Sequence, residues 1–140
     1  MRQLTILIFV CLAIGCATSK KTSTKANPLI GTWLTEKMEM GGTLLPKATF
    51  ENQKLTLGDS TYTFIAESVD KGTVKYNGNK IDIYGKDGVN AGKHFTAIYK
   101  FENDLLVICY NLEGNVYPES FETKGKPMYF VATFKKEQAK

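Results

Sequence analysis

Histidine occurs once in these 140 residues, tryptophan once and cysteine three times. The lone His94 cannot supply the histidine cluster that zinc sites draw on, and it offers a single imidazole to any Ser-His-Asp or Cys-His arrangement. No apolar run approaches the roughly 20 residues of a membrane-spanning helix; Leu4–Ile14 is the longest candidate. Helical periodicity and internal repeats are missing too. The formal charge of +4 is not an excess on the folded part, because Arg2, Lys20, Lys21 and Lys25 all precede Leu29. From Leu29 onward basic and acidic residues balance, whereas a nucleic-acid binder carries a basic face on its domain. No nucleic-acid partner is expected. The loop holding Asp87, Gly88 and Asn90 lacks the Asp-x-Asp-x-Asp-Gly run and distal Glu of a calcium loop. No catalytic residue, metal or cofactor is expected, and the chain does not read as an enzyme.

What is present starts with an export segment. Met1-Arg2 carries one charge, an apolar run follows, and Gly15-Cys16 closes it, the layout of a secretory signal. Leu12-Ala13-Ile14-Gly15-Cys16 resembles a bacterial lipobox, with Ala13 where Leu is commonest. The resemblance implies that residues 1–15 are removed and that Cys16 is the lipid attachment site. Several acyl chains on one thiol-linked terminus would anchor firmly where one chain is marginal. Ala17 after the cysteine resembles the pattern for passage to an outer membrane, which implies a lipid-anchored protein of the cell envelope facing the periplasm. Residues 16–28 are Ser-, Thr- and Lys-rich and read as a flexible tether. With Cys11 removed and Cys16 lipidated, Cys109 is left without a disulfide partner. It sits in an apolar strand, where a free thiol behaves as a small buried hydrophobe.

A single domain is expected over residues 29–135, followed by a disordered tail at 136–140. Short extended segments alternate with turn residues: Leu34–Met40, Lys54–Leu57, Thr61–Ala66, Thr73–Tyr76, Ile81–Ile83, Lys93–Phe101, Leu105–Tyr110 and Met128–Phe134. Turns are expected at Gly58-Asp59, at Asp70-Lys71-Gly72, and at Asn77-Gly78 as a type I′ hairpin. Short strands at such even spacing indicate an all-β sandwich or barrel. Sequential connections favour an eight-stranded antiparallel meander, closed so that no edge is left open.

Gly31-Thr32-Trp33 resembles the Gly-x-Trp motif on the first strand of lipocalins, which implies that Trp33 plugs one end of the barrel. Lys80–Ile83, Ile98-Tyr99, Asp104–Tyr110, Pro118 and Phe121 together resemble an uncharacterised lipocalin-like domain family best known from planctomycete proteins. That family implies architecture and no activity. Asn103 replaces its usual Gly, and Tyr117 replaces the Arg before its proline.

Strand parity places Leu55, Leu57, Tyr62, Phe64, Val74, Tyr76, Ile81, Ile83, Phe95, Ala97, Tyr99, Phe101, Leu106, Ile108, Tyr110, Phe130, Ala132 and Phe134 inside. Half of these positions are aromatic, which argues for a filled interior. The hydroxyls of Tyr62, Tyr76, Tyr99 and Tyr110 need partners when buried, and a polar group on a ligand would serve, so these four are the candidate ligand contacts. Lys135 is placed over Trp33, a cation–π contact worth about 0.5–1 kcal/mol. His94 reads as a surface residue. Two functions fit: a membrane-anchored barrel binding a small apolar or amphipathic ligand, or a packed barrel serving as an interaction scaffold or inhibitor. In the second, an envelope protein would meet the loops Gly41–Asn52, Gly85–Gly92 and Glu113–Lys126, with Tyr117, Pro118 and Phe121 as contacts.

Overall fold

The computed structural model describes residues 26–138; Cys16, the expected export segment and nearly all of the expected tether lie outside the described residues. Nine strands form: β1 (Gly31–Met40), β2 (Thr43–Leu44), β3 (Lys54–Leu57), β4 (Thr61–Ile65), β5 (Val69–Asn77), β6 (Lys80–Asp87), β7 (His94–Glu102), β8 (Leu105–Asn111) and β9 (Tyr129–Lys136). Every pairing is antiparallel, and β3 to β9 pair in sequence order. β1 pairs with β3 through Gly31–Leu34 and with β9 from Trp33 to Met40, which closes the sheet. The result is the expected all-β, eight-stranded antiparallel meander barrel, lipocalin-like in outline. β2 is a two-residue flap folded back on the end of β1. Among the described residues no helix is long and apolar enough to cross a membrane.

Closure follows from parity. Alternate residues of each strand face inward, and the inward set is apolar. Leu55, Leu57, Val74, Ile81, Ala97, Leu106, Ile108, Ala132 and Phe134 are all buried, with Phe64, Phe95 and Phe130 packed against them. Of the positions expected inside, Phe101 alone is exposed, because it is the last inward position of β7 and stands beyond the barrel's closed end. β1 contributes more than its alternation suggests. A bulge between Thr35 and Lys37 shifts the inward side from odd to even positions, so Trp33, Thr35 and Met38 all face the core.

Trp33 closes one end. It is 2% exposed, its indole N–H donates to the Leu29 carbonyl at 2.8 Å, and Phe101 leans on it with ring centroids 6.0 Å apart. The cation over it is Lys136, 5.2 Å from the ring, and not Lys135. Lys136 is the cross-strand partner of Trp33 and shares its face, whereas Lys135 pairs with Leu34 on the outer face. β9 therefore runs one residue past the expected end of the barrel.

Two turns differ from expectation. Asp70-Lys71-Gly72 is strand, not turn; β5 begins at Val69, and the reversal occurs at residues 66–68. Asn77-Gly78 does reverse the chain, but Asn77 pairs with Lys80 and only Gly78 has positive φ, 60°. The type I′ conformation, with positive φ at both central residues, occurs at Asn103 (48°) and Asp104 (63°), between β7 and β8.

The 17 residues between β8 and β9, Leu112 to Met128, strap the outer face of β7 and β8. The Thr96 hydroxyl and the Asn111 amide both donate to the Val116 carbonyl, at 2.5 and 3.0 Å, and Asn111 also reaches Asn115. Farther along, Thr123 donates to Glu39 and accepts from the Gly42 N–H, tying the strap to the end of β1. This cover buries the outward-facing Ile98, Val107 and Cys109.

Candidate functional site: the open chamber of the barrel

The end opposite Trp33 is open. Inside it lies an apolar chamber of about 140 Å³, walled by Leu55, Leu57, Val74, Ile81, Ile83 and Ile108 and by the rings of Tyr62, Phe64, Phe95, Tyr110, Phe130 and Phe134. Above it Met40, Asn90, Lys93, Phe95, Leu112, Met128 and Phe130 border a vestibule of about 500 Å³ open to solvent. Asn90, Phe95, Leu112 and Phe130 border both, so the chamber communicates with the mouth.

The four candidate tyrosines separate into two pairs. Tyr62 and Tyr110 line the chamber. Tyr76 and Tyr99 lie toward the closed end and do not. The Tyr76 hydroxyl donates to the Gly58 carbonyl at 2.9 Å, and Tyr99 packs edge-on against Phe101. Burial, with the charge of Asp59 and the neighbouring Tyr99, pushes the Tyr76 phenol up to about 12. Burial, then the charge of Asp70 and a hydrogen bond to it, pushes Tyr62 up to about 12. Burial pushes Tyr110 up as well, with Cys109 and Tyr62 adding to it. Both phenols in the chamber are neutral donors at physiological pH.

Asp70 is the residue sequence reasoning missed. It is 3% exposed and, among the described residues, supplies the only charged side chain of the chamber wall. Its Oδ1 accepts the Asn90 backbone N–H at 3.0 Å. Its Oδ2 accepts the Asn90 side-chain amide at 2.5 Å and the Tyr62 hydroxyl at 3.4 Å. No cation pairs with it among the described residues. Two glycines make the arrangement possible. A Cβ on Gly72 would stand 2.7 Å from the Tyr62 ring and 2.0 Å from the Tyr84 carbonyl oxygen. One on Gly88, whose φ is +91°, would stand 2.6 Å from Asp70 Oδ1. The Asp-Lys-Gly triplet that imitates a turn is thus a strand segment, its glycine set by a neighbouring ring.

A second polar cluster lies outside the barrel. His94 Nε2 is 2.8 Å from Asp82 Oδ1, and the Tyr117 hydroxyl donates to Asp82 Oδ2 at 2.5 Å. His94 stacks on Tyr84 with centroids 4.4 Å apart, and Lys80 lies over the Tyr117 ring. Burial pushes the Asp82 carboxyl up, but hydrogen bonds from Tyr117 and His94 and the charges of His94 and Lys75 outweigh it and hold it below the ordinary 3.8. His94 is a surface residue with specific partners, and the cluster fastens the strap. Within the strap Pro118 is buried, and Phe121 carries Lys100 over its ring. Cys109 lies under the same cover on the outer face, away from the chamber. Among the described residues no group of three or more His, Cys, Asp or Glu side chains could hold a metal ion.

Comparison with protein-family models, with curated proteins and with solved structures found no match to this chain.

Proposed function

We propose that this protein is a lipid-anchored envelope barrel that binds a small apolar or amphipathic molecule. The observation that carries the reading is the aromatic-walled chamber opening through a wide mouth. Its volume of about 140 Å³ is below the usual range for drug-sized ligands. It is close to the engineered cavity of about 150 Å³ that takes benzene. The deep part therefore suits one ring or a short hydrocarbon segment, and the vestibule suits whatever is attached to it. The anchoring part rests on Cys16 and its surrounding lipobox pattern.

Mass spectrometry of the full chain carrying Cys16→Ser, purified without detergent, tests the binding. A small molecule retained in the native spectrum and lost on unfolding is the expected result. An empty barrel that also ignores six- to eight-carbon alcohols overturns it. Cell fractionation tests the anchor: Cys16→Ser releases the protein from membranes, and retention there refutes lipidation.

The alternative, a scaffold or inhibitor that meets another envelope protein, draws support from the open rim. Leu44, Val69, Val89 and Met128 are all exposed there. Tyr117, Pro118 and Phe121 pack on the barrel itself, which moves the candidate surface from the strap to the rim. Cross-linking in intact cells, with no reproducible partner recovered, removes this reading.

A further inference from the structure

Resting on the pocket reading, we propose that the chamber takes a small amine. Its ammonium pairs with Asp70, and its ring or hydrocarbon body fills the space between Tyr62, Phe95 and Ile108.

Burying an ion costs several kcal/mol even after relaxation, and the rest of the chamber wall is apolar or neutral. Three hydrogen bonds satisfy most of the acceptor capacity of Asp70, but hydrogen bonds leave the negative charge in place. A loop clamp alone does not require that charge, since a neutral amide or hydroxyl could hold Asn90. What the wall lacks is a positive partner, and an ammonium entering through the mouth supplies one. It would also convert a half-compensated buried charge into a paired one.

The aromatic surface points the same way. Ring faces carry negative potential and attract ammonium ions, more strongly when water is excluded. Tyr62, Phe64, Phe95, Tyr110 and Phe130 line the same chamber as Asp70. The size of the chamber limits the body to about one ring, with further substituents directed into the vestibule. An anionic ligand would find the opposite: a carboxylate at Asp70 and one exposed cation, Lys93, already donating to Asn90 Oδ1 at 3.2 Å.

The test uses the full chain carrying Cys16→Ser and three probes of similar shape: 2-phenylethylamine, 2-phenylethanol and phenylacetate. Calorimetry is expected to show the amine binding about ten-fold or more tighter than the alcohol, a charged pair in place of a neutral one, with the acid weakest. Asp70→Asn is expected to erase the amine's advantage, read as the ratio of amine to alcohol affinity within the same variant, which falls from about ten-fold or more to about one. The comparison in the unaltered barrel decides even where Asp70→Asn fails to fold. A shift of the Asp70 carboxyl carbon resonance with the amine and not the alcohol places the ammonium. Equal binding of amine and alcohol, tighter binding of the acid, or an amine preference surviving Asp70→Asn refutes the amine and leaves the pocket standing. Binding of none of the three, with hexylamine and hexanol also silent, refutes the pocket itself.

Discussion

Asn90 donates both its backbone N–H and its side-chain amide to Asp70, so one residue of the loop between β6 and β7 closes on both oxygens of a buried acid on β5. That contact decides the position of the loop at the barrel mouth. Asn90→Ala keeps the backbone bond and removes the amide. The cost of leaving a buried charged acceptor short of one donor is about 1–3 kcal/mol. Urea unfolding should show that loss, and hydrogen exchange should show faster amides across residues 88–93. Unchanged exchange there would mean that the loop is held by other contacts.

At the other end, Trp33 combines bulk with one specific bond. Trp33→Ala empties the plug and should cost about 3–5 kcal/mol. Trp33→Phe restores much of the volume but leaves the Leu29 carbonyl without its donor, a further penalty of about 1 kcal/mol beyond the packing change. Urea midpoints of the three proteins order them as wild type, Phe, then Ala. Because Trp33 is the single tryptophan and sits at the closed end, its fluorescence should report unfolding and stay nearly constant when a probe enters the mouth. A large emission change on binding would contradict the placement of the chamber.

The strap makes a pH-dependent prediction through Asp82. Its carboxyl lies below 3.8 in the folded protein, so the folded state holds that proton less tightly than the unfolded chain. The stabilisation is fully present above the unfolded value and is lost as pH falls through the folded one. Asp82→Asn should therefore be less stable than wild type at pH 7, by about 1 kcal/mol for a partly exposed group. The gap should close as pH falls through the folded-state value below 3.8, where the wild-type carboxyl becomes neutral too. Tyr117→Phe should remove part of the same difference. A gap that persists unchanged at low pH would show that Asp82 acts by shape and not by charge.

Much of this molecule was legible from its sequence, and the parts that were not share a cause. Two-residue alternation in Leu55-Thr56-Leu57 and Ile81-Asp82-Ile83 reports which face is buried, and the barrel follows from it. Asp70 was hidden because Asp-Lys-Gly satisfies the local rules for a turn. Gly72 is required instead by Tyr62 and the Tyr84 carbonyl, which are distant in sequence. Met38 was hidden by the bulge at Glu36, which breaks the alternation that parity depends on. The Asp82, His94 and Tyr117 cluster needed the path of the strap, and no periodicity encodes that path. The separation of Tyr62 and Tyr110 from Tyr76 and Tyr99 needed only depth along the barrel, but depth follows from register, and register was not available from the strands alone.

Cys109 carries the last prediction. It is fully buried under the strap, and burial pushes its thiol from 9.0 up to about 11, with Lys126 opposing and Glu39 adding to the shift. The thiolate is the reactive form, so at pH 8 the folded protein should be inert to aromatic disulfide reagents and should react at once in urea. The same shift sets an alkaline limit. Folding favours the protonated thiol, so its contribution is complete below about 9 and is lost as pH rises from there toward 11. The phenols of Tyr62 and Tyr76, near 12, extend the decline further. Cys109→Ser should flatten the first part of that fall and leave the later part intact. A wild-type stability that stays level from pH 8 to 11 would mean that the thiol meets water, and that the strap opens far more readily than its hydrogen bonds to Thr96 and Asn111 imply.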